Sequence, residues 1–93
     1  GKYILMETFR DLLPPALHGR PKYGFEMPIG VWLRNELKFL IDEYLDKDLI
    51  KKQGIFDFEI IDGLIKSHMG NHRDMSWHLW NLIVFQHWHK KYL

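Results

Sequence analysis

The sequence predicts an all-α fold: a small four-helix subdomain with a long Pro/Gly loop between its first two helices. Apolar residues recur at helical spacing in four segments, and no convincing strand can be read. All four prolines fall within residues 14–28, which marks a long irregular connection there. The 93 residues suffice for one small domain, and the 46% apolar and 15% aromatic content is ample for a core.

The first predicted helix covers about residues 2–13, with Leu5, Phe9, Leu12 and Leu13 on one face. Pro14-Pro15 ends it, since neither can donate a backbone hydrogen bond. Residues 14–30 form the loop, in which Ala16-Leu17 reads as a short turn. The second helix runs from about Val31 to Leu45, with a stripe of Leu33, Leu37, Leu40, Ile41 and Tyr44. Asp46 to Gly54 reads as a short helical turn with a glycine stop. Asp57 suits the N-cap of a third helix, about Phe58 to Met69, whose buried stripe is Phe58, Ile61, Leu64, Ile65 and His68. Gly70-Asn71 ends it. Asp74 or Ser76 caps a fourth helix, about Met75 to Tyr92. This last helix is apolar around most of its circumference, which places it in the middle of something larger. Three short helices cover only part of it, so a further partner surface is expected. There is no internal repeat.

Bulk chemistry excludes several classes. Thirteen basic and twelve acidic side chains give a net charge of +1, which offers no electrostatic case for nucleic acid. The longest apolar runs are too short to span a bilayer, and no signal-peptide pattern is present. The chain has no cysteine, hence no disulfide and no thiolate chemistry; this is compatible with a cytoplasmic setting. Gly1 is excluded as a possible cloning scar, and the abrupt helical start reads as a segment cut from a longer protein.

Few residues invite catalysis. His68 and His72 are four apart, but Gly70-Asn71 interrupts the helix that would have to carry both. His87 and His89 point away from each other on one helix. No metal site is expected. Ser67 and Ser76 sit in no nucleophile elbow, and Asp42-Glu43 and Asp57/Glu59 read as solvated helical faces. Trp77, Trp80 and Trp88 share the apolar helix, where packing explains them better than base stacking. The loop is more specific. In Arg20-Pro21-Lys22-Tyr23-Gly24-Phe25-Glu26-Met27-Pro28, one lysine sits between two prolines that fix φ, beside a glycine free to take positive φ. Such a loop suits a lysine that meets a particular anion, although an ordinary connector with a solvated lysine has the same composition. Trp32 is placed to anchor the loop against the bundle.

The run Leu13-Pro14, Arg20 to Phe25, Pro28 and Trp32-Leu33-Arg34 resembles the C-terminal region of glutamine-hydrolysing asparagine synthetases. Later elements agree in order: Gly54-Ile55-Phe56-Asp57, His68-Met69-Gly70, Arg73-Asp74, Leu79-Trp80-Asn81-Leu82 and Trp88. The likeness covers essentially the whole chain, residues 1–93. It implies the helical end of a larger α/β ATP-pyrophosphatase-type synthetase domain, which uses ATP with Mg²⁺ to adenylate a carboxylate. Ammonia from a glutaminase portion then displaces AMP. It also implies a catalytic role for Lys22, stabilising charge that develops as pyrophosphate leaves. Arg20 either assists phosphate binding or makes a structural ion pair. Pro21, Tyr23, Gly24, Phe25 and Pro28 shape the loop.

The family's Ser-Gly-Gly-x-Asp-Ser loop and glutaminase cysteine are absent from these residues. By that resemblance the chain alone is inactive and binds no cofactor; its partners are upstream ATP-binding and glutaminase portions of the same polypeptide. It would self-associate through exposed apolar surface. The competing expectation is a stand-alone helical interaction module that grips a protein through Trp77, Trp80, Phe85 and Trp88.

Overall fold

The computed structural model describes residues 11–17 and 28–92. A 3-10 turn at Pro15–Leu17 precedes five α-helices: α1 Ile29–Arg34, α2 Lys38–Tyr44, α3 Lys47–Gln53, α4 Phe58–Met69 and α5 Ser76–Tyr92. Among the described residues there is no strand, so the fold is all-α. Of the first predicted helix, Asp11 and Leu12 are helical and Leu12 and Leu13 are buried; Leu5 and Phe9 lie outside the described residues.

The second predicted helix is two helices. Asn35 is the cause. Its side-chain Nδ2 donates to the carbonyl of Val31 at 2.9 Å, taking the acceptor that the backbone N–H of Asn35 would use in a continuous helix. The backbone N–H groups of Asn35 and Leu37 both turn to the carbonyl of Trp32 instead. The apolar stripe survives the break, because Leu33, Leu37, Leu40, Ile41 and Tyr44 are all buried.

The caps follow the sequence closely. Asp46 accepts from the Leu49 N–H at 3.1 Å and so starts α3, a two-turn helix where a single turn was expected. Gly54 ends it at φ 69°, the left-handed conformation that costs glycine nothing. Asp57 caps α4 by accepting from the Glu59 N–H at 3.0 Å. At the other end of α4, the N–H of Asn71 bonds to the carbonyl of His68, and the N–H of His72 to that of Ser67. Together these form a Schellman motif, with Asn71 at φ 60° supplying the left-handed residue rather than Gly70. Asp74 accepts from the Ser76 N–H at 3.0 Å, opening α5.

One core gathers residues from every helix. Leu33, Leu37, Ile50, Leu79 and Ile83 are fully enclosed, with Leu12, Leu17, Ile29, Trp32 and Ile61 around them. Helix α5 packs on α1, α2 and α4, while α4 also meets α1 and α3. The buried face of α5 is Leu79, Trp80, Ile83 and Gln86. Its other face exposes Trp77, Phe85, Trp88 and Tyr92. Two details depart from the sequence reading. Trp80 belongs to the core, so it does not share a surface with Trp77, Phe85 and Trp88; and the buried face contains a polar residue, Gln86. No helix among the described residues is long and apolar enough to cross a membrane.

Candidate functional site

Arg20, Pro21, Lys22, Tyr23, Gly24 and Phe25 lie outside the described residues, and Pro28 alone of the predicted loop set is within them. What can be built is the frame on either side of residues 18–27. On the upstream side Leu17 is buried, and its N–H donates to the Pro14 carbonyl at 2.9 Å. On the downstream side the Pro28 carbonyl accepts from the Trp32 N–H at 2.9 Å, with Ile29 and Trp32 in the core. Trp32 thus anchors the downstream flank. Both flanks are tied to the same core.

The downstream flank, α1, is only six residues long and is separated from α2 by the Asn35 break. So short a helix has few bonds of its own to fix its position. Its position is set from outside, by His68. This side chain is wholly enclosed. Its Nε2 lies 2.9 Å from the carbonyl oxygen of Gly30, and its Nδ1 accepts from the backbone N–H of Met75 at 3.2 Å. With Nδ1 accepting, Nε2 carries the proton and donates to Gly30. The backbone carbonyl of His68 in turn accepts from Nε of Arg34 at 2.8 Å. One residue of α4 therefore binds α1 at two points one turn apart. A β-carbon on Gly30 would meet Cε1 of His68 at 3.3 Å, Cβ of Ser76 at 3.5 Å and Oδ1 of Asp74 at 3.6 Å, so the approach is close. Asp74 holds its carboxyl below the usual carboxylate range, chiefly because the side chain and backbone N–H of Ser76 bond to it.

A second polar cluster joins α2, α3 and α5. Gln53 and Gln86 exchange amide hydrogen bonds at 3.1 and 2.8 Å, and the second donor of Gln86 reaches the Tyr44 carbonyl at 3.0 Å. Every polar atom of the buried Gln86 amide is thereby engaged. The Tyr44 hydroxyl lies 2.8 Å from Nδ1 of His87, whose Nε2 faces Asp11 at 3.8 Å; Lys91 stands 3.6 Å from the same carboxylate. Burial, reinforced by Glu43, pushes the Tyr44 hydroxyl up to about 12. It therefore stays protonated at neutral pH. Surface depressions of about 400 and 450 Å³ flank this cluster, lined in part by Gln53 and Gln86, and by His87 and Lys91, respectively.

The described residues contain no group of three or more His, Cys, Asp or Glu able to hold a metal ion. Sequence reasoning placed His68 on a buried stripe but missed its bonds to α1. It also missed Gln86, whose signal was a glutamine at core register, four residues from Leu82 and three from Ile83.

Taken together, these features define an all-α subdomain whose core holds the residues on either side of 18–27. The asparagine synthase family model matches residues 1–90, and the chain belongs to that family. It is 27% identical to "Asparagine synthetase [glutamine-hydrolyzing] 1" of Bacillus subtilis (strain 168) over 97 aligned residues, covering 95% of this chain and 14% of that protein. Proteins of Mycobacterium bovis and Mycobacterium tuberculosis that carry a provisional asparagine synthetase (glutamine-hydrolyzing) name are 28% identical over 88 residues, covering 95% of this chain and 13% of each. The chain thus spans about one seventh of the length of these relatives. No solved structure matches it significantly.

Proposed function

We propose that this chain is the C-terminal helical portion of a glutamine-hydrolysing asparagine synthetase, where it presents Lys22 to the site of carboxylate adenylation. The observation that carries this reading is the family match over residues 1–90, which includes the whole lysine loop. In the full polypeptide, upstream portions bind ATP with Mg²⁺ and deliver ammonia from glutamine. Aspartate is the acceptor. The Lys22 ammonium offsets negative charge as pyrophosphate departs, a role suited to a fixed cation in a closed site. Arg20 assists at the phosphates, and Pro21, Tyr23, Gly24, Phe25 and Pro28 hold the loop's shape. The protein works in the cytoplasm, and the 93-residue chain by itself has no activity.

The exposed aromatic residues of α5 fit the same reading. Trp77 is 64% exposed and Tyr92 59%, with the Trp88 and Tyr92 rings in tilted contact at 5.2 Å between centroids. In the full polypeptide this face packs on the upstream portions. Family membership favours that role over a stand-alone interaction module. The direct test is ATP-dependent pyrophosphate release by the full polypeptide with aspartate and ammonia, compared with Lys22→Ala. Equal release by both, with the variant folded, refutes the role of Lys22.

A further inference from the structure

We infer that the depression between α2, α3 and α5 is a binding site for a small organic anion with an apolar body, of the class of an arylalkyl carboxylate. Catalysis by Lys22 plays no part in it. The depression holds about 400 Å³, a volume within the range of small-molecule sites. Its enclosed walls are the buried Tyr44 and Gln86 and the half-buried Leu49 and Gln53. The polar groups of these walls are already committed to protein partners. Gln86 donates to the Tyr44 carbonyl at 3.0 Å and to Gln53 at 2.8 Å, and accepts from Gln53 at 3.1 Å. The Tyr44 hydroxyl lies 2.8 Å from Nδ1 of His87. A guest that carried polar groups to this depth would lose their hydration and find few partners in exchange. Its body is therefore apolar, set against the Tyr44 ring and Leu49. The mouth carries the charge. Glu43, Lys52 and Lys90 are exposed there, and two ammonium groups against one carboxylate leave it net positive. The half-buried His89, tilted against Phe85, completes the wall. The Glu43 carboxylate acts on the Tyr44 hydroxyl. Among the described residues neither ammonium is paired with a carboxylate; Lys90 Nζ lies instead over the Tyr44 ring, 5.8 Å from its centroid. Charge complementarity selects an anionic head group for such a mouth. A carboxylate on a short apolar body meets both demands, with its ring or chain on Tyr44 and Leu49 and its head towards Lys52 and Lys90. Inorganic phosphate lacks the body, and a neutral aromatic lacks the head.

The experiment titrates phenylacetate and its neutral counterpart phenylacetamide into the full polypeptide, with binding followed by equilibrium dialysis. Saturable binding of phenylacetate is expected, with phenylacetamide weaker by about threefold to tenfold. Lys52→Ala with Lys90→Ala should weaken phenylacetate by a similar factor and leave phenylacetamide unchanged. Added salt should lower the affinity for phenylacetate alone. Leu49→Trp places an indole in the depression and, with the fold checked by circular dichroism, should abolish the binding that depends on the two lysines. If phenylacetate shows no saturable binding, or binds no more tightly than phenylacetamide, the inference is overturned. Native affinity in the double lysine variant overturns it too, as does lysine-dependent binding that survives Leu49→Trp. Should Leu49→Trp not fold, the lysine variant decides, because exposed side chains away from the core are replaced at little cost to stability.

Discussion

The imidazole of His68 donates to the carbonyl of Gly30 at 2.9 Å, joining residues 38 positions apart. Helix α4 thereby fixes the first turn of α1, which begins directly after Pro28. The same imidazole accepts from the Met75 N–H, so the loop between α4 and α5 is drawn into one knot with α1.

His68→Leu fills the cavity with apolar volume but leaves the Gly30 carbonyl and Met75 N–H without their partner. Stranding buried polar groups costs about 1–3 kcal/mol. Urea unfolding should show a loss of about 2 kcal/mol, and an unchanged midpoint would mean that water or relaxation satisfies both groups.

The Gln53–Gln86 pair should behave as a unit. Gln86→Leu leaves the Gln53 amide and the Tyr44 carbonyl unpaired, and is expected to cost about 1–3 kcal/mol. Adding Gln53→Leu removes one stranded group, so the double variant should be less destabilised than the sum of the two single changes. Strict additivity in denaturant unfolding would show that the amides are not coupled.

Tyr44 makes the fold alkali-sensitive. Its hydroxyl is raised from its ordinary 10.0 to about 12, because burial penalises the phenolate. The unfolded chain therefore ionises first. The stabilisation is intact below about pH 10 and is lost as pH rises towards about 12. Unfolding free energy followed across this range should fall, and Tyr44→Phe should flatten the slope. A slope of the same size in Tyr44→Phe would assign the effect to other groups.

The aromatic face of α5 should drive self-association of the 93-residue chain. Trp77→Lys with Trp88→Lys removes two large exposed rings without touching Leu79, Trp80 or Ile83 in the core. Sedimentation should show concentration-dependent oligomers for the native chain and a shift towards monomer for the variant. A native chain that stays monomeric at high concentration contradicts this.

Local chemistry made much of the fold legible. Asp57 and Gly54 act through neighbours in sequence, and the structure repeats them with α4 bounded at Phe58 and Met69 as read; of its stripe Ile61 and His68 are buried and Phe58, Leu64 and Ile65 half-buried. The break at Asn35 was hidden because the apolar period runs through it without interruption. At the break the Asn35 side chain, and not its backbone N–H, bonds the Val31 carbonyl. The roles of His68 and Gln86 depend on groups more than thirty residues away, which periodicity cannot register. Trp77 and Trp80 look alike in sequence, and tertiary packing alone separates the exposed ring from the buried one. For the site, Trp32 lies in the core, while Lys22 was singled out by its prolines and glycine and its role came from resemblance.

The most direct measurement is pyrophosphate release by the full polypeptide with ATP, aspartate and ammonia, for the native protein and for Lys22→Ala checked by circular dichroism. Release by the native protein and a loss of at least about a hundredfold in the folded variant is the predicted result. Equal rates would contradict it, leaving Lys22 a solvated lysine on a connector between helices.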